Sequence, residues 1–117
     1  MSSKRSGFED RLGSVLEPAG FLYEPFKTEY VIPHKYTPDF VHGDILVEAK
    51  GWFRPGDRQK YKAIRDSLGS QELVFVLQYP LKRVQKGAKL TMGGWCDKED
   101  IVWFATPEEL IDYANAK

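Results

Sequence analysis

Asp39, Glu48 and Lys50 stand in one stretch, Tyr36-Thr-Pro-Asp-Phe-Val-His-Gly-Asp-Ile-Leu-Val-Glu-Ala-Lys-Gly51, at a spacing that could hold a divalent cation and an attacking water. Two short apolar runs, Phe40-Val41 and Ile45-Leu46-Val47, flank Gly43-Asp44, which is the signal of a two-residue hairpin turn with positive φ. With that turn His42 faces Ile45, Val41 faces Leu46, Phe40 faces Val47 and Asp39 faces Glu48. The two carboxylates then leave the same face with Cβ atoms about 5 Å apart. Alternation along a strand puts Lys50 on that face too. Like charges opposed on a hairpin destabilise it, and a cation between them would turn repulsion into ligation. Oxygen ligands suit Mg²⁺, with Mn²⁺ able to substitute, rather than zinc. A solvated hairpin whose acids and lysine simply face water fits the same spacing, and spacing alone does not separate the two.

The elements that must position these residues follow from periodicity. Ser6-Gly-Phe-Glu9 has the form of a helix capping box, and Phe8, Leu12, Val15 and Leu16 mark a short amphipathic helix that Pro18 and Gly20 end. Phe21 to Ile32 reads as extended, interrupted by Pro25 and stopped by Pro33. The hairpin turns Phe40, Ile45, Val47 and Ala49 toward a core. Gly51 to Gly56 is a loop in which Gly51 allows close backbone approach. Trp52 and Phe53 either contact sugar and base or bury against a helix. Asp57 is an N-cap for a helix through Leu68, closed by Gly69, with Tyr61, Ile64 and Leu68 as its apolar stripe. The continuous run Leu73-Val-Phe-Val-Leu77 reads as a strand buried on both faces. Thr91 to Asp97 is a short helix, Ile101 to Phe104 a last strand, and Thr106-Pro-Glu-Glu109 starts a terminal helix.

Composition narrows the classes. The 117 residues suffice for one domain with one core, 42% apolar and 29% charged. No run approaches the roughly 18 apolar residues of a membrane span, so a cytoplasmic location is expected. The one cysteine, Cys96, excludes an internal disulfide and a cysteine-based metal site, and reads as a small buried hydrophobe. His34 and His42 lie outside any ligand cluster and receive no role. Net charge is zero, but residues 50–89 carry 10 basic against 3 acidic side chains, while 1–49 and 90–117 are net acidic. A basic block beginning at Lys50 suits a polyanion, and it also fits a merely solvated helix face.

The residues also carry a family resemblance. Pro38-Asp39 followed by Glu48-Ala49-Lys50 resembles the Pro-Asp…(Asp/Glu)-x-Lys signature of the restriction-endonuclease-like nucleases. Arg5-Ser-Gly-Phe-Glu-Asp10, Tyr30-Val-Ile-Pro33, Tyr36-Thr-Pro-Asp-Phe40, Val47-Glu-Ala-Lys-Gly51 and Asp57-Arg58 are similar in order and spacing to the bacteriophage endonuclease I family, Holliday-junction resolving enzymes. This similarity runs from about residue 5 to about residue 105. It implies an α/β fold with a restriction-endonuclease-like core, a mixed central sheet flanked by helices. It further implies an intertwined homodimer, with residues 6–32 used in dimerisation and 36–105 forming the catalytic sheet and helix.

The resemblance adds Glu9 as a further acidic member of the site, a candidate ligand for a second metal, beside the alternative that it only caps the helix start. Asp39, Glu48 and the Ala49 main-chain carbonyl would ligate the first metal, and Lys50 would place or activate water. Arg58 is the leading phosphate contact, since a guanidinium can bond phosphate through two donors. Arg5, Arg54, Lys60, Lys62, Lys82, Arg83 and Lys86 complete the expected DNA-binding set. The expected activity is Mg²⁺-dependent hydrolysis of branched DNA, four-way junctions foremost, in the host cytoplasm and without an organic cofactor. A less structure-selective nuclease and a non-catalytic DNA-binding architectural protein are the alternatives. The chain departs from the family in lacking a strongly basic tail and a net positive charge, which bears on affinity and substrate range.

Overall fold

The hairpin forms where the turn chemistry requires it. Gly43 takes φ +58°, and β4 (Phe40–His42) pairs antiparallel with β5 (Ile45–Lys50) in the expected register, Phe40 opposite Val47 and His42 opposite Ile45. The computed structural model describes residues 7–24, 28–30 and 34–117. Arg5, the Ser6 cap, the polar start and the two prolines Pro25 and Pro33 lie outside the described residues.

Around the hairpin the chain builds a mixed five-stranded sheet. Its order is β1 (Leu22–Tyr23), β4, β5, β6 (Glu72–Leu77) and β7 (Val102–Phe104). β1 and β4 are antiparallel to their neighbours, whereas β5, β6 and β7 run parallel. The central strands are apolar on both sides, as parallel strands covered by helices must be. Helices α1 (Gly7–Leu16) and α4 (Pro107–Asn115) cover one face, where Leu12, Leu16, Leu110 and Ala114 pack with Phe40, Ile45, Val47, Val74 and Val76. On the other face α2 (Asp57–Ser67) and α3 (Met92–Lys98) set Tyr61, Ile64, Met92, Trp95 and Cys96 against Leu46, Leu73, Phe75 and Leu77. Burial pushes the Cys96 thiol up to about 12, in keeping with a packing role. Among the described residues no helix is long and apolar enough to cross a membrane.

Two helices start on a threonine cap, the second of them the one that the sequence signals. Thr91 accepts from the Gly94 N–H at 3.0 Å, and Thr106 accepts from the Glu109 N–H at 3.3 Å ahead of Pro107. Helix α2 starts differently. Its N-cap is Gly56 at φ +88°, with no side-chain cap bond. Asp57 is instead the first helical residue, and its carboxylate turns back to the Arg54 N–H at 2.9 Å. At the far end Leu68, in extended conformation, stops the helix, and Gly69 does not enter the left-handed region.

The stretch from Phe21 to Ile32 is likewise not one long strand. β1 pairs with β4, and β2 (Thr28–Tyr30) pairs with β3 (His34–Tyr36) in a separate two-stranded ribbon. Both described parts therefore find partners in their own chain. The break falls at Glu24, which holds φ +43°, a conformation most non-glycine residues avoid.

Candidate active site

Glu48 and Lys50 sit at the carboxyl end of β5, beside its parallel neighbour β6, the edge at which parallel sheets commonly present their ligands. The backbone places Asp39 opposite them, since its N–H donates to the Val47 carbonyl at 3.0 Å. Its carboxylate lies near enough to Glu48 for that charge to raise its proton affinity. It turns onto the strand edge and accepts from the Ala49 N–H at 2.9 Å.

Two further acids converge on Asp39. Glu9 of α1, Glu24 at the bend after β1 and Asp39 each offer a carboxylate oxygen, all within 4.8 Å of one another. The Glu24 N–H donates to the Asp39 carbonyl at 3.0 Å, which locks the bend against the strand. Burial, then the charges of Glu48 and Glu9, push the Asp39 carboxyl up to about 9, while the Ala49 N–H pulls it down. Three half-buried oxygen donors of one sign suit a hard divalent cation such as Mg²⁺ or Mn²⁺, which would offset that repulsion.

Glu48 is buried, 4% exposed, and held by two phenols. Tyr36 donates to its Oε2 at 2.6 Å and Tyr61 to its Oε1 at 2.9 Å. Burial raises the Glu48 carboxyl, and the two tyrosine bonds with the nearby Lys50 charge oppose that rise. The Lys50 ammonium lies 3.5 Å from Asp57 Oδ2 and 5.0 Å from the centre of the Tyr61 ring. Asp57 thus links Lys50 to the 54–57 turn, a role its position before a helix had concealed. Gly51 passes close to Gln78, the residue after β6, whose side-chain Oε1 an added Cβ would meet at 3.0 Å.

Among the basic residues, Arg54, Arg58, Lys82, Arg83 and Lys86 line one groove together with Trp52. Lys60 sits apart, its ammonium 5.3 Å from the Tyr61 ring centre. Lys62 also lies outside the groove and faces Glu99 at 3.8 Å, beside the stronger Arg65–Glu99 pair. Of the two loop aromatics, Phe53 is buried against Phe75 and Trp95, whereas Trp52 is exposed. His42 packs on Phe21 with ring centres 4.7 Å apart.

The sequence matches the phage endonuclease I family over residues 1–115. The chain belongs to the phage endonuclease I family. Two relatives match nearly the whole of this chain. Endodeoxyribonuclease 1 of Enterobacteria phage T3 is 35% identical over 119 residues, covering 97% of this chain and 76% of the relative. Endonuclease I of Escherichia phage T7 is 38% identical over 128 residues, covering 97% of this chain and 86% of the relative. As an endonuclease I family member, the chain carries the expected Asp39, Glu48 and Lys50 at one sheet end and Glu9 on the adjoining helix. Glu24, Asp57, Tyr36 and Tyr61 meet these residues as well, and the sequence alone does not mark them for it. The first is an acid before a proline in an extended stretch, and nothing local distinguishes it. Tyr61 reads as part of a helix's apolar stripe and Tyr36 only as a member of the motif stretch, because no sequence signal reveals what a buried hydroxyl meets.

Proposed function

We propose that this chain is a divalent-metal-dependent endodeoxyribonuclease acting on branched DNA, four-way junctions foremost. The observation that carries the reading is the convergence of carboxylates from α1, the Glu24 bend and the hairpin beside Lys50, in a member of the endonuclease I family. The mixed sheet between helix layers supports assignment to the restriction-endonuclease-like core. A homodimer would present two such sites and two basic grooves to paired arms, reading shape through phosphates rather than bases. The host cytoplasm is the expected compartment.

Glu9, Glu24 and Asp39 would hold the cation. Each Glu48 oxygen keeps a lone pair beyond its tyrosine bond, so Glu48, with the Ala49 carbonyl, can complete the donor set. Bound there, Mg²⁺ would lower the pKa of a coordinated water and neutralise charge growing on the phosphate. The Ala49 N–H fixes the Asp39 carboxylate. Asp57 and the Tyr61 ring steady the Lys50 ammonium, which donates a hydrogen bond to the attacking water and orients it. Arg58 and its basic neighbours bring the phosphodiester to this edge.

The test is a labelled four-way junction and a matched linear duplex, each with and without Mg²⁺. Paired Mg²⁺-dependent nicks confined to the junction are expected. Equal cutting of the duplex would leave a general nuclease, and tight binding without cutting in Mg²⁺ or Mn²⁺ would remove the enzymatic reading. Asp39→Asn and Lys50→Ala should each abolish cleavage and retain junction binding; full activity in either would dismiss the proposed site.

A further inference from the structure

A groove of about 660 Å³ opens between the 52–56 turn, the start of α2 and the 82–87 loop. Its twelve lining residues include five cations and no acid, in a chain whose net charge is zero. None of the five forms an ion pair among the described residues. Two of them brace the walls: Arg58 donates to Gln85 Oε1 at 2.7 Å, and Arg83 donates to the Ala88 and Lys89 carbonyls at 3.0 Å. The 52–56 turn is pinned from below by Phe53, buried 5.2 Å from the Trp95 ring centre and 6.1 Å from that of Phe75. Trp52 is consequently left outside, 51% exposed, with the Arg54 guanidinium 5.8 Å from its ring centre.

Phosphates alone need only the cations. An exposed indole beside them has no partner on a continuous duplex, whose base faces are already stacked. An unpaired strand offers both charges and free base faces, and cationic grooves with aromatic platforms are how proteins hold one. We infer that this groove seats a single-stranded segment of DNA, its phosphates on Arg54, Arg58, Lys82 and Lys86 and one base stacked on Trp52. Trp52 follows Lys50 by two positions, so the stacked nucleotide would lie close to the bond being cut. Resting on the nuclease reading, this makes a preference for branched DNA partly a matter of capturing a base that the branch has unstacked.

The full chain is titrated in EDTA with a fluorescein-labelled oligothymidylate, an abasic strand of equal length and a duplex, read by anisotropy. The base-bearing strand should bind about tenfold more tightly than the abasic one, the scale of a single base–aromatic stack. Trp52→Ala should erase that difference, Trp52→Phe should keep most of it, and Lys82→Ala should weaken both strands alike. Equal binding of the two strands by the wild-type chain overturns the proposal, as does a duplex bound more tightly than the base-bearing strand. A Trp52→Ala variant with unchanged discrimination does so too. The wild-type comparison stands even if a variant misfolds. Because no metal or cleavage is involved, discrimination by a chain that cuts nothing would sink the nuclease reading and leave the groove. Cutting without discrimination would do the reverse.

Discussion

Asp39 holds its proton up to about 9 in the fold, against 3.8 for a free aspartate, chiefly through burial and then the Glu48 charge. Between those values the folded chain binds a proton that the unfolded chain releases, so without a cation stability falls as pH rises through the window. Urea midpoints in EDTA should decline across it, and Asp39→Asn should flatten the decline. Added Mg²⁺ should raise Tm more at the alkaline end than at the acid end, since there it replaces a proton already costly to keep. A flat metal-free profile would contradict the burial argument. Glu48 makes a second prediction. Tyr61→Phe preserves the ring that packs on Phe75 but withdraws one donor from a buried carboxylate. The expected loss is about 1–3 kcal/mol by denaturant unfolding. A loss within error would mean that water replaces the hydroxyl.

Among the elements, the bend between β1 and β2 joins local strain to the site. Glu24 holds a left-handed backbone while its carboxylate reaches Glu9 and Asp39. An L residue there costs roughly 1–2 kcal/mol, and such outliers persist where the surroundings demand them. Glu24→Gly should therefore match or exceed wild-type stability yet cut junction DNA poorly. Glu24→Ala should lose activity without the gain. Unimpaired cleavage in both would remove Glu24 from the metal set. Helix α2 carries a different burden, since Tyr61 and Ile64 fix the layer over Glu48. Ile64→Ala should cost about 2–5 kcal/mol through the cavity it leaves, measured by thermal or urea unfolding.

Across the whole molecule a neutral chain gains a polyanion surface by segregation. The basic block folds into one groove, while acids gather at the sheet end and in the C-terminal quarter. Phosphate neutralisation releases counterions, so junction affinity should fall steeply with salt. Lys82→Ala and Lys86→Ala should each reduce the slope of log affinity against log salt by about 0.9. Lys62→Ala should leave it unchanged, because Lys62 faces Glu99 outside the groove. Gel-shift titrations over a salt series decide this, and equal slopes for all three variants would relocate the DNA path. Sedimentation at micromolar concentration should show a dimer if two sites act on paired arms.

Local order was largely open to reading in the sequence. Turn chemistry at Gly43-Asp44 and period-two apolar runs set the hairpin register, and the continuous apolar run of β6 announced a strand covered on both sides. The Thr106 cap with its proline announced α4, and these rules act over a few residues. Strand register brings Asp39 opposite Glu48, but it positions Cβ atoms and does not choose rotamers. Only tertiary packing decided that Asp39 turns to the Ala49 amide and that Glu48 turns to Tyr36 and Tyr61. The same holds for Glu24, which arrives beside Glu9 and Asp39 because β1 pairs with β4 and α1 packs beneath. Residues 15 positions apart in the chain become neighbours through burial and long-range pairing, whose energies no local pattern encodes.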